Sequence, residues 1–218
     1  PNSAQNTEYQ LSGIDSFFNF ANANADGNIG SPIKRQNFAG YYSGYVSNET
    51  VANGGIPAAF IANHDTGRSV GAVAGRSSSS NAKFGIGLLQ LMQGTTFTYY
   101  GDEIGMAVPP NATTNDPNKR LPMDWGDKYT CDDPSGTISY SHGEAYPYES
   151  VKEQLKDKDS ILNYVKRANR LRREFPSLAR GDFSNVYTNE TGTFGVIKRT
   201  YNDEFYELYD SDVVEEDE

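Results

Sequence analysis

The chain has 218 residues, enough for one sizeable core or for one domain and part of a second. Its 36% hydrophobic and 22% charged residues exclude the low-hydrophobicity, high-charge composition of a disordered chain. A net charge of −10 argues against a nucleic-acid partner, because phosphate binding needs clustered Lys and Arg, and it fits a soluble protein acting on neutral or cationic partners.

In chain order, "SGIDSFFNFA" (Ser12 to Ala21) predicts a short strand leaving a glycine turn, and a small polar loop follows up to Pro32. Phe38, Tyr41, Tyr42 and Tyr45 recur at helical spacing, predicting a helix over Lys34 to Val46. Pro57 opens the apolar run "AAFIA", read as a strand buried on both faces. Between Gly75 and Gly94 a serine cluster suited to an N-cap precedes a largely apolar helix that the second glycine stops. "TTFTYYGDE" predicts a strand as far as Gly101, ending in Asp102 and Glu103. The stretch from Gly105 to Tyr148 is long and irregular, and it carries the only tryptophan, Trp125. Asp159 to Gly181 gives the clearest helix, capped by Asp159 or Ser160, with an apolar stripe of Ile161, Leu162, Val165, Ala168 and Leu171 and a limit at Pro176. After Gly181 the pattern alternates, and "FSNVYT" and "TFGVIKRTY" flank the turn "NETG" as a β-hairpin. The acidic tail is expected to fray. Strands alternating with helices, then strands alone, predict an α/β parallel sheet followed by an antiparallel β region.

Both well-defined strands end in charged residues, where barrels and doubly wound sheets gather their active groups. Asn63, His64 and Asp65 follow the first of them. On a continuing strand His64 and Asp65 would face opposite ways, so only one could face a site unless the strand breaks at Asn63. The competing reading is a helix-capping aspartate beside a structural histidine. Asp102 and Glu103 read as surface or capping carboxylates, although Asp65 with Glu103 would also make a glycosidase-like pair.

Other chemistries find little support. There is no phosphate loop, dinucleotide fingerprint or nucleophile elbow. Only His64, His142 and Cys131 are available for a zinc site, and a lone cysteine forms no intrachain disulfide. Acids between Asp124 and Asp133 could bind calcium but read better as solvated loop residues. No run reaches about 18 apolar residues, so no membrane span is expected. The sequons at Asn48, Asn111 and Asn189 are read as chance in an Asn-rich chain. A chain opening on Pro1 without a visible signal peptide reads as a processed or truncated start.

"FIANHDTGR", "GTTFTYYGDEIGM", "DPNKRLPMDW" and "ILNYVKRANRLRREFPSLARGDF" resemble, in that order, the C-terminal half of the α-amylase superfamily, glycoside hydrolase family 13. The likeness runs from about Tyr9 to Phe205 and is nearest to bacterial α-amylases and oligo-α-glucosidases with an Arg-x-Pro-Met-x-Trp loop, here Arg120 to Trp125. It implies a (β/α)8 barrel of which this chain holds strands six to eight and the last helix, so that residues 1–181 are the C-terminal half of the catalytic domain. Residues 182–218 would begin a C-terminal β-sheet domain.

The same resemblance implies a retaining α-glucan hydrolase cleaving α-1,4 bonds of starch or maltooligosaccharides. The alternatives are an oligo-1,6-glucosidase or α-glucosidase, and a non-catalytic barrel relative acting as a binding subunit. Asp65 takes the part of the third catalytic acid, which grips sugar hydroxyls and favours the oxocarbenium-like state, and His64 is its partner in binding substrate. Arg68 and Arg120 are weaker carry-overs as substrate contacts, with structural salt bridges as the alternative. Trp125 is read as a loop anchor before a sugar-stacking platform. The family's nucleophile and acid/base lie upstream of these residues, so Glu103 drops out as a proton donor and the chain alone is expected to be inactive. Its expected partners are the glucan and the N-terminal half of the barrel. Calcium is a possible ligand of the parent protein with no ligands identified here, and a bacterial extracellular location is expected, with the cytoplasm as the alternative.

Overall fold

The structure is a computed structural model, and it describes residues 8–20, 39, 54–66, 68, 79–107, 119–126, 148–201 and 204–207. The expected helix over Lys34–Val46, most of the stretch from Gly105 to Tyr148, including His142 and Cys131, and the acidic tail lie outside the described residues.

Three strands, β1 (Ser16–Asn19), β2 (Ile56–Phe60) and β3 (Thr95–Phe97), form a parallel sheet in that order, with Phe18, Ala58 and Thr95 in register. Helix α1 (Ser79–Gln90) connects β2 to β3, as a parallel pairing requires. One face of the sheet packs against helices. Ala59 and Ile61 join Ala82, Ile86 and Leu89 of α1 and Ile161 and Val165 of α3 (Ile161–Glu174) in one buried cluster. The two helices touch closely at Gly87, where a Cβ would collide with the Tyr164 hydroxyl.

The opposite face is aromatic. Phe18 stacks edge-on against Phe60 at 5.6 Å and Phe97 at 4.9 Å, and Phe20 meets Phe60 at 5.1 Å. Phe60 is buried, but Phe18 stays 54% exposed and Phe97 43%.

Short α2 (Val151–Gln154) leads into α3 through Gln154, whose buried amide donates to the Ile104 and Glu149 carbonyls and accepts from the Leu162 N–H. Of the two expected caps, Ser160 is the one used: its hydroxyl accepts from the Asn163 N–H at 3.1 Å. The expected stripe on α3 is narrower than its sequence, since Ile161 and Val165 are buried while Leu171 is exposed. Phe175, extended because a residue before proline avoids the helical region, separates α3 from α4 (Pro176–Arg180).

Beyond Gly181, β4 (Asp182–Thr188), β5 (Gly195–Tyr201) and β6 (Glu204–Glu207) pair antiparallel, with a bulge between Asn185 and Tyr187. Asn189 organises the hairpin turn: its side-chain oxygen Oδ1 accepts from the N–H groups of Thr193 and Phe194.

The end of α1 shows how these parts join. The carbonyls of Gly87 and Leu89 accept from the Leu91 and Met92 N–H groups, the carbonyls beyond them need donors from outside the helix, and its last turn carries no basic residue. Two arginines from elsewhere supply both donors and charge. Arg172 of α3 donates to the carbonyls of Gln90 and Met92 at 2.7 Å and to Gly94, and Arg199 of β5 donates to Leu91 at 2.8 Å and Gly181 at 2.6 Å.

Candidate active site

The site begins where β2 stops. The strand ends at Phe60 and the chain turns over His64 to Thr66, so the alternation that would separate His64 from Asp65 no longer applies. Asn63 makes that turn. Its side-chain oxygen accepts from the Asp65 N–H at 2.8 Å and the Thr66 N–H at 2.7 Å, while Thr66 Oγ1 accepts from the Asn63 N–H. His64 Nε2 lies 3.5 Å from Asp65 Oδ1, with side chains 57% and 64% exposed. The sequence order Asn-His-Asp thus has a physical meaning: the amide builds the turn, and the imidazole and carboxylate project from it side by side.

A second segment closes on the first. Lys119 Nζ donates to the Asp65 carbonyl oxygen at 2.7 Å. The loop that bears it, Lys119 to Leu121, hangs from two tyrosines that follow β3: Tyr99 Oη donates to the Lys119 carbonyl at 3.1 Å and Tyr100 Oη to the Leu121 carbonyl at 2.8 Å. Arg120 is half-buried in this loop and near enough to Tyr99 to favour its ionised form. Burial and the neighbouring Tyr100 outweigh that cation and Arg68, pushing the Tyr99 hydroxyl up to about 12. Trp125, farther along the loop, remains largely exposed, and buried Asp124 accepts the Gly126 N–H.

Arg68 lies beneath this turn. It is only 2% exposed, its guanidinium lies 4.8 Å and 4.4 Å from the ring centres of Tyr99 and Tyr100, and Nη1 donates to the Tyr100 carbonyl. Such a side chain supports the turn from beneath. Its Nε and Nη2 have no hydrogen-bond partner among the described residues, nor has Oδ1 of Asp102.

The residues after β3 also need correcting. The strand stops at Phe97, short of the expected Gly101, and Asp102 to Ile104 form a turn of 3-10 helix between Gly101 and Gly105, both left-handed. Asp102 is fully buried, not a surface acid, and desolvation raises its carboxyl to about 8 against the opposing pull of Arg68. The Glu103 carboxylate accepts the Gly101 N–H at 2.6 Å, which makes it part of that turn. Among the described residues no three His, Cys, Asp or Glu side chains converge as metal ligands, and no helix is long and apolar enough to cross a membrane.

Residues 7–181 match the α-amylase catalytic domain. The chain belongs to that family. It is 29% identical over 153 residues to the α-amylase SusG of Bacteroides thetaiotaomicron, covering 69% of this chain and 19% of that protein. With the probable oligo-1,6-glucosidase 2 of Bacillus subtilis it shares 26% identity over 170 residues, covering 62% of this chain and 30% of that one. Among solved structures, Eubacterium rectale Amy13B superposes with a TM-score of 0.77 at 31% identity, over 93% of this chain and 40% of that protein. The α-amylase of H. orenii, 24% identical, shares the fold with a TM-score of 0.72 over 94% of this chain and 40% of its own. The chain therefore spans less than a third of the curated relatives' length. Its parallel sheet and antiparallel hairpin align with part of the α-amylase family's barrel structures.

Lys119, Tyr99 and Tyr100 were not singled out as functional from the sequence. The one usable signal was the position of Lys119 beside Arg120, because the partners of all three are distant in sequence.

Proposed function

We propose that this chain is the C-terminal part of an α-amylase-like retaining hydrolase that cleaves α-1,4 bonds in starch or maltooligosaccharides. The observation that carries the reading is the mounting of Asp65. Its N–H and its carbonyl are both held while its carboxylate, 64% exposed, lies 3.5 Å from His64. A fixed anion there favours the positive charge that develops at the anomeric carbon, and His64 and Arg120 contact sugar hydroxyls. The nucleophile and the acid/base come from upstream residues, so the 218-residue chain alone hydrolyses nothing.

In this reading β1, β2 and β3 are the last three strands of an eight-stranded barrel, residues 1–181 belong to the catalytic domain, and residues 182–218 open the β domain. The aromatic face of Phe18 and Phe97 supports it, because parallel sheets are covered on both faces. The remaining strands supply that cover. Action on starch, a polymer too large to enter a cell, favours an extracellular location, and action on maltooligosaccharides alone would fit the cytoplasm.

The full-length protein, incubated with a maltooligosaccharide, tests the proposal. The α-anomer should be released first by proton NMR, and release of the β-anomer, or none, would reject a retaining α-glucanase. The likeness to an oligo-1,6-glucosidase favours one second reading, exo-action on α-1,6 links. Isomaltose cleaved faster than amylose would select it.

A further inference from the structure

We infer that Lys119 and Tyr99 are positioning residues for Asp65, joined with the buried guanidinium of Arg68 in a closed circuit of contacts. This rests on the proposed catalytic role of Asp65 and extends it to residues that touch no substrate.

The circuit can be followed around. Arg68, three positions after Asp65, packs beneath the rings of Tyr99 and Tyr100 and donates to the Tyr100 carbonyl. Tyr99 Oη then donates to the carbonyl of Lys119, and the Lys119 ammonium returns to the carbonyl of Asp65. Gly101 permits the approach of Arg68, since a Cβ there would lie 2.8 Å from Nη1.

Asn63 ties the peptide groups on both sides of Asp65 from within the turn, through the Asp65 and Thr66 N–H groups, and Lys119 adds a tie from a distant segment at the Asp65 carbonyl. The Asp65 side chain is 64% exposed and pairs with His64 among the described residues, so its direction depends on its backbone. Holding both peptide groups limits the arc through which the carboxylate can swing. Misplacement by about 1 Å reduces turnover by as much as about 100-fold. The circuit also ties the loop of Arg120 to the turn of His64, so the groups proposed to meet the sugar move together.

The test uses the full-length protein with Lys119→Met, Lys119→Arg and Tyr99→Phe, read by hydrogen exchange at Asp65 and by steady-state kinetics on a maltooligosaccharide. Lys119→Met should speed exchange of the Asp65 N–H about 10-fold. It should also lower kcat about 10-fold with KM within about 2-fold of wild type. Lys119→Arg, which still reaches the carbonyl, should restore both. Tyr99→Phe should act in the same direction by about 3-fold. In an Asp65→Asn background Lys119→Met should lower kcat no further, whereas a merely structural residue would subtract again. Unchanged exchange in both Lys119→Met and Tyr99→Phe would overturn the inference. Wild-type kcat in Asp65→Asn would instead overturn the catalytic reading of Asp65, with exchange still deciding the circuit.

Discussion

The guanidinium of Arg199, on β5, donates to the carbonyl oxygen of Leu91 at 2.8 Å across 108 positions of sequence. It also donates to Gly181 and lies over the Phe183 ring at 5.3 Å, so a single buried cation joins the antiparallel strands to the end of α1. Arg199→Met keeps much of the volume but leaves those carbonyls without this donor. It should lower stability by about 2–4 kcal/mol. Urea unfolding monitored by circular dichroism measures this. A midpoint shift equivalent to under about 0.5 kcal/mol would show that the carbonyls find other partners.

Gly101 should tolerate no side chain. Its φ is 90°, and a Cβ would meet Met106 and Arg68. Gly101→Ala should cost about 1–3 kcal/mol from backbone conformation, with the collision adding to it. Thermal unfolding reads the loss, and a midpoint equal to wild type would mean that the turn relaxes without strain.

Asp102 gives the fold a pH dependence of definite sign. Its carboxyl is raised to about 8 by burial, against 3.8 ordinarily. Between those values the folded chain holds a proton that the unfolded chain has released, so raising the pH favours unfolding. Asp102→Asn removes the effect with little change of shape. The stability difference, variant minus wild type, should rise steadily from about pH 4 to about pH 8 and stay level above. Paired thermal melts across that range measure it. A difference independent of pH would mean that Asp102 ionises normally.

Much of this architecture can be read from local pattern. The strand opened at Pro57, the helix ending before Gly94 and the hairpin around Asn189 follow from apolar runs, glycine stops and turn residues, although the strand stops at Phe60, two residues before the end of its apolar run. Local pattern fails where long-range contacts decide. β3 ends early because Tyr99 and Tyr100 turn to hold a loop twenty residues on, against the β-propensity of their own sequence. For Arg68 the sequence leaves a substrate contact and a structural role both open, because its charge is visible there and its burial under two tyrosines is not. The catalytic reading of Asp65 came from family likeness; the residues alone left a capping role open.

The most direct measurement compares Asp65→Asn with wild type in the full-length protein, at matched thermal stability, for hydrolysis of a maltooligosaccharide. The account predicts a fall in kcat/KM of about 100- to 1,000-fold, because a preorganised charge at the reacting centre is lost while the turn built by Asn63 and Lys119 persists. A kcat/KM within about 2-fold of wild type would contradict it, since the carboxylate would then take no part in stabilising the transition state.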